Sequence, residues 1–319
     1  MLVRKLLSVV AAVALGSSLV ACGSEEPKAG DGGDFGKSGI KVTESFGKKP
    51  TITHKEGEPD KALVTEVLSE GKGAEVKKGE LLVANYIGQI WRDGKVFDNS
   101  YDRGAPAAFP IGVGKVVTGW DEALVGKKIG SRVLLSIPPD KGYKETGNKE
   151  AGIEGTDTLI FVVDIVGAFD TTKKTAEGGT TQAAPAGNPT ITGAITAEPK
   201  VTVPKGLKAP KETGKPIVLI KGTGKPVEKN SMVRMHYAIF DYTGKKQFST
   251  WVPSQQAPVA EAVAQPIAPA GAPAGQAGPL AALVGVPVGS RVLMHLPPQQ
   301  NQAAFVVLDV IDSLPISVA

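Results

Sequence analysis

VANYIGQIWRDGKVFDNS, residues 83–100, holds the pattern from which the fold can be read. Ala84, Tyr86, Gly88 and Ile90 alternate with Asn85, Ile87, Gln89 and Trp91, the two-residue period of a β-strand. Asp93-Gly94 then supplies a hairpin turn, and VFDNS continues on its far side as a second strand. Further along, SRVLLSI (131–137) sets Val133, Leu135 and Ile137 on one face, and TLIFVVDIV (158–166) is another β-branched run. Between the strands, VVTGWDEALVGK (116–127) spaces Val117, Trp120, Leu124 and Val125 as one face of a short helix. Antiparallel strands with one helix to cover a face define an α+β domain.

The pattern occurs twice. VLSEGKGAEVKKGELLVANYIGQIWRDGKVF (67–97) aligns with VLIKGTGKPVEKNSMVRMHYAIFDYTGKKQF (218–248) at an offset of 151 positions. GSRVLLSIPP (130–139) returns as GSRVLMHLPP (289–298), and VVDIV (162–166) as VLDVI (307–311). Units of about 120 residues are too long for a solenoid, whose period is 20 to 50, and indicate a duplicated globular domain. The expected organisation is one domain over 47–169 and a second over 197–319, joined by a Thr-, Gly- and Ala-rich linker at 170–196. The Ala/Pro-rich stretch 253–278 reads as a loop.

The N-terminus has a basic start (MLVRK), an apolar run (LLSVVAAVALGSSLV) and small residues ending at Cys22, the order of a secretory signal over 1–21. Leu19-Val20-Ala21-Cys22 resembles the bacterial lipobox, whose cysteine becomes the lipidated first residue of the mature protein. An ordinary cleaved signal with an incidental cysteine is the duller reading. Cys22 is the only cysteine, so no intramolecular disulfide can form. Residues 22–46 are expected to form a flexible tether, and the chain to sit lipid-anchored on the extracytoplasmic face of a cell membrane. The formal charge of +4, falling to about +2 without Arg4 and Lys5, gives no case for nucleic acid. His54, His236 and His295 lack metal-ligand spacing, and no phosphate-binding loop or nucleophile elbow is present, so neither metal nor cofactor is expected.

Gly-Lys-Val-Phe-Asp-Asn-Ser (94–100), Val-Val-x-Gly-Trp-Asp-Glu-Ala-Leu (116–124) and Ile-Pro-Pro-x-x-x-Tyr (137–143) occur in that order. Together they resemble the FKBP-type peptidyl-prolyl cis-trans isomerases, closely over 62–168 and more weakly over 211–314. The resemblance implies two FKBP-like domains, each a twisted antiparallel sheet wrapped around a short α-helix, with the second degenerate. It further implies a binding pocket between sheet and helix. Tyr86, Phe97 and Phe161 would be its aromatic walls, Trp120 its floor, and Val116 and Val117 the helix start that offers a backbone N–H. Asp98 would be the carboxylate beside the reacting carbonyl, Arg103 its partner, Tyr143 a hydroxyl donor and Ile153 an apolar residue of the flap. Ala107 stands where the family often has an aromatic residue, and Asn148 where it often has histidine. Taken singly, Trp120 reads as core, Asp98 as a turn residue, Tyr143 as exposed loop and Arg103 as a solvated charge. Their joint order outweighs those readings.

The implied activity is prolyl isomerisation of unfolded or extended proline-containing polypeptides, assisting the folding of exported proteins, with macrolide-type inhibitors fitting the same pocket. The alternative is a non-catalytic chaperone or envelope binding protein. In the second unit the alignment sets Tyr237 for Tyr86, Phe248 for Phe97, Ser249 for Asp98, Pro279 for Trp120 and Val306 for Phe161, and it deletes the flap. That unit is expected to keep the framework without the chemistry.

Overall fold

The computed structural model describes residues 38–209, 215–252, 262–267, 279–299 and 302–316. The expected signal segment, Cys22 and the start of the expected tether lie outside these residues.

The first copy runs β1 (Ile40–Val42), β2 (Ile52–His54), β3 (Val64–Ser69), β4 (Leu81–Ile90), β5 (Val96–Asn99), β6 (Ala107–Pro110), α1 (Thr118–Leu124), β7 (Arg132–Ile137) and β8 (Leu159–Phe169). Its main sheet has the order β3-β7-β8-β4-β5, with β6 pairing the other half of the β4 edge that β5 occupies. Trp120 and Leu124 of α1 are buried on this sheet with Val133, Leu135 and Ile137, as the apolar spacing requires.

Strand β7 is buried on both faces rather than one. Its far side, at Leu134, packs with Ile87, Ile160 and Val162 against Ile40, Ile52 and Trp91. Ile40 and Ile52 come from β1 and β2, an antiparallel hairpin in which Ile40 faces His54. Residues 38–46 therefore belong to the folded domain, not to the tether expected through residue 46. The apolar side chain of Ile40, only 3% exposed, is one of the contacts that hold them there.

A buried ion pair fastens the hairpin. Arg132 donates to Asp164 from Nε at 2.6 Å and from Nη2 at 2.8 Å. The same guanidinium donates to the carbonyls of Glu44 and Lys48 at 2.6 and 2.7 Å, and Gly47 N–H donates to Asp164 Oδ2 at 2.7 Å. In the second copy Arg291 donates twice to Asp309 at 2.7 Å and also to the carbonyls of Gly193, Ala194 and Ala197. This explains the repeated SRV and VVD/VLD motifs: each supplies half of a lock that holds an N-terminal hairpin to the back of its sheet.

The second copy contains β9 (Thr180–Thr181), β10 (Thr190–Thr192), β11 (Lys200–Thr202), β12 (Ile217–Lys221), β13 (Ser231–Asp241), β14 (Lys246–Ser249), β15 (Val263–Pro266), β16 (Arg291–Gln299) and β17 (Gln302–Pro315). Its main sheet is ordered β14-β13-β17-β16-β12-β9, with β15 on β13. The linker expected at 170–196 is thus largely part of this copy. Strand β9 extends the sheet at β12, β10 and β11 form the locked hairpin, and Ala176 and Ile195 are buried against Ile311. Strand β15 lies within the stretch expected to be a loop, because Val263 to Pro266 find partners along Met235 to Met232. The sheet is met by a 3-10 turn, Pro279–Leu283.

The register corrects one part of the alignment. Gly88 faces Asp98 in the first copy, and its equivalent Ile239 faces Phe248 in the second. The β13–β14 turn is one residue shorter, closing from Asp241 to Lys245 where the first copy closes from Ile90 to Lys95. Phe248 therefore takes the place of Asp98, and Gln247 that of Phe97.

The copies pack on each other through equivalent faces. Leu81, Val83, Ala108, Val166 and Phe169 meet Met232, Ala264, Leu314 and Ile316 in one apolar cluster. By register, Leu81 corresponds to Met232, Ala108 to Ala264 and Phe169 to Leu314. Strand β6 lies beside β15, and β8 beside β17. Like meeting like is the isologous packing of a twofold dimer, here built within one chain.

Candidate active site

On the helix side of the first sheet, five rings interlock. Trp120 from α1 meets Tyr86 (β4), Phe109 (β6) and Phe161 (β8) edge-to-face, at centroid distances of 5.5, 5.1 and 5.3 Å. Phe109 also meets Tyr86 at 5.4 Å, and Phe97 (β5) meets Phe161 at 5.5 Å. Edge-to-face pairs at these distances suit the aromatic quadrupole and fix the rings against one another. The indole N–H of Trp120 is buried and finds no acceptor among the described residues.

Two members of this arrangement were not anticipated from sequence. Phe109 follows Ala107 by two positions on β6, so strand alternation puts both on the same face; Ala107 leaves no ring, and Phe109 supplies one beside it. Gly88 is the other. A Cβ at this position would lie 2.6 Å from Phe97 Cζ and 2.7 Å from Phe161 Cε1. Only glycine lets those two rings rest on β4.

Polar groups gather at one rim. Tyr86 Oη donates to Asp98 Oδ2 at 2.5 Å, Arg103 Nη1 donates to Asp98 Oδ1 at 2.5 Å, and Arg103 Nη2 donates to Tyr86 Oη at 2.7 Å. The guanidinium carbon also stands 5.4 Å from the centre of the Tyr86 ring. Burial, and then the carboxylate of Asp98, push the Tyr86 hydroxyl up to about 12, so it remains a donor through neutral pH. The Asp98 and Arg103 side chains are 44% and 45% exposed, so the charged groups meet solvent while Tyr86 and Trp120 are buried.

Val116 and Val117 pack against the same cluster, and Val117 is the N-cap of α1 without a side-chain cap. The loop leading to them is gripped by Asp121, whose oxygens accept the N–H groups of Gly112 and Gly114, each at 2.6 Å. Tyr143, between two 3-10 turns, packs on the cluster's margin. Ile153 is buried in it, held by reciprocal backbone bonds with Asn148 at 2.8 and 2.9 Å. The structure thus brings Tyr86, Phe97, Asp98, Arg103, Val116, Val117, Trp120, Tyr143, Ile153 and Phe161 around one site. Among the described residues no group of His, Cys, Asp and Glu could hold a metal ion.

A sequence profile of the FKBP-type peptidyl-prolyl cis-trans isomerases matches residues 72–166, the span that contains this site. The FK506-binding protein of Streptomyces anulatus is 36% identical over 119 residues, covering 37% of this chain and 96% of that protein. The probable FK506-binding protein of Corynebacterium glutamicum is 34% identical over 121 residues, covering 38% and 99%. FK506-binding protein 1A of Neurospora crassa is 44% identical over 108 residues, covering 33% and 87%. The chain belongs to the FKBP-type peptidyl-prolyl cis-trans isomerases.

In this isomerase the second copy keeps the sheet but, among the described residues, not the ring cluster. Register sets Tyr237 at the Tyr86 position, Gln265 at Phe109, Val306 at Phe161 and Ile239 at Gly88. Phe248, in the place of Asp98, lies 5.3 Å from the Tyr237 ring, so an apolar contact replaces the carboxylate bond. Strands β16 and β17 run on to pair Gln299 with Gln302, where the FKBP-type copy inserts Tyr143 and the flap.

Proposed function

We propose that the first copy catalyses prolyl isomerisation in the aromatic pocket around Trp120, on extended proline-containing polypeptides, while lipid on Cys22 holds the chain at the outer face of a bacterial membrane. There it assists the folding of exported proteins. The five-ring cluster beneath a Tyr86–Asp98–Arg103 rim is the observation that carries this reading. Rotation about an amide faces a barrier of about 18–20 kcal/mol because resonance holds it planar. The planar amide is polar and well hydrated, whereas the twisted transition state has lost much of that polarity. A water-poor aromatic site therefore favours the twisted state, and no covalent step is needed. The proline ring rests on the Trp120 indole. Val117 N–H and the Tyr143 hydroxyl hold the flanking carbonyls in place, and the charged rim faces the carbonyl of the turning bond. Macrolide-type inhibitors are expected in the same pocket, and the second copy to support the first or contact clients.

The test is NMR exchange of a short X–Pro peptide with residues 23–319. The chain is expected to accelerate exchange, and Asp98→Ala to lower kcat/KM about tenfold, a loss near 1.4 kcal/mol of transition-state stabilisation. An unaltered rate in Asp98→Ala removes the carboxylate from the mechanism. No acceleration by the parent chain favours the non-catalytic binding protein.

The anchor is supported by Leu19-Val20-Ala21-Cys22 and by Cys22 being the sole cysteine. No helix among the described residues is long and apolar enough to cross a membrane. Expressed from residue 1 in a bacterium, the chain is expected to enter the detergent phase on Triton X-114 partition, and Cys22→Ala to stay aqueous. Equal partition of the two would rule out the lipid.

A further inference from the structure

The turn that carries Arg103 is held from behind as well as from the pocket. Residues Tyr101–Arg103 form one 3-10 turn, closed by Gly104 in the left-handed region. Its third residue, Arg103, reaches the rim of the site. Its first, Tyr101, points the other way: the hydroxyl donates to Asp164 Oδ2 at 2.9 Å and accepts from Arg132 Nη2 at 3.3 Å. Its second, Asp102, accepts Lys49 Nζ at 2.7 and 2.9 Å. Lys49, Glu44 and Lys48 all belong to the turn between β1 and β2, and the last two are held by Arg132. The lock that fastens the N-terminal hairpin therefore also grips the turn that aims Arg103.

We propose that Tyr101 is a positioning residue for the isomerisation: through its hydroxyl the buried Arg132–Asp164 pair sets the turn that places Arg103 on Asp98 and Tyr86. The inference rests on the reading of that rim as part of the active site.

The second copy shows that the lock itself has no need of the tyrosine. There Arg291 and Asp309 pair as closely, and hold their own hairpin, without it. The residue at the Tyr101 place is Trp251, because Thr250 bonds Tyr237 as Ser100 bonds Tyr86. Trp251 stacks on His236 at 4.0 Å instead of reaching Asp309. The hydroxyl is thus present where a carboxylate and arginine must be held at a pocket mouth, and absent where Phe248 has replaced the carboxylate. Asp164 retains three other hydrogen bonds, two from Arg132 and one from Gly47, so removing the hydroxyl leaves the ion pair closed.

The experiment is a double-mutant cycle on residues 23–319, with kcat/KM for an X–Pro peptide read by NMR exchange and the unfolding midpoint measured beside it. Tyr101→Phe is expected to lower kcat/KM about threefold to tenfold, and to lower it no further when Arg103→Ala is already present. Loss of equal size in both backgrounds overturns the proposal, because a structural effect would act whether or not Arg103 is there. No loss from Tyr101→Phe when Arg103 is intact overturns it as well. If Arg103→Ala alone leaves kcat/KM unchanged, the rim is not catalytic: the reading of the site fails, and the positioning role falls with it.

Discussion

Gly88→Ile, which installs in the first copy the residue found at the same place in the second, is expected to lower kcat/KM by about 100-fold or more, roughly 2.7 kcal/mol of transition-state stabilisation, and to leave the domain folded. The strand itself accepts the change. Gly88 is paired with Asp98 on one side and Phe161 on the other, in extended backbone where β-branched residues are at home. The conflict is with the rings, since the first added carbon already falls 2.6 Å from Phe97 and 2.7 Å from Phe161. Phe161 sits on the central strand β8 and is 5% exposed, so Phe97, on the edge strand β5, is the ring that must leave. Overpacking of this kind costs about 1–3 kcal/mol of stability, which a domain of this size can bear. In the second copy Ile239 is accommodated, 4% exposed, because Gln247 and Val306 stand where the two rings would be. Activity by NMR exchange and the unfolding midpoint together decide the matter. A folded Gly88→Ile chain that keeps kcat/KM within about twofold would show that the Phe97–Phe161 pair is not part of the site.

Where the sequence was legible, the reason was local. The alternation over 84–91, the Asp-Gly turn and the spacing of Val117, Trp120 and Leu124 are each determined within one element, and each is formed much as read. The residues gathered around Trp120 could be named together because their order along the chain is that of a known family. What escaped was determined at a distance. Ile40–Val42 and Thr190–Thr192 are strands of three residues in Gly-rich and polar surroundings, too short for a periodic signal. They exist because a guanidinium 88 residues away from Glu44, or 98 from Gly193, supplies donors for their turns. Gly88 carries no local sign of its role, since its necessity comes from rings on two other strands. The offset at Phe248 escapes an ungapped alignment for a related reason: a turn shortened by one residue moves every later partner, and only the pairing reveals it.

The largest effect on stability is expected from Asp164→Ala. Arg132 and Asp164 are 2% and 0% exposed, so the substitution leaves a buried cation without its counter-charge, and breaking such a pair costs about 3–5 kcal/mol. The loss should not stop there. Gly47 N–H and the Tyr101 hydroxyl lose their acceptor together, which releases the β1–β2 turn from the sheet and exposes Ile40 and Ile52 with it. Urea unfolding of the first copy, followed by loss of isomerisation, should shift by the whole of this amount. Asp309→Ala should do the same to the second copy, with Arg291 as the stranded charge, while catalysis at low urea persists. Replacing both partners by leucine separates charge from fastening. It removes the buried cation, which often recovers most of the stability, yet it gives the carbonyls of Glu44 and Lys48 no donor. The double variant is therefore expected to refold the sheet with its hairpin loose, visible as fast amide exchange over 40–54. If Asp164→Ala instead costs less than about 1 kcal/mol, no more than an exposed ion pair, the motif repeated in the two copies does not act as a lock, and the hairpin is held by the packing of Ile40 and Ile52 alone.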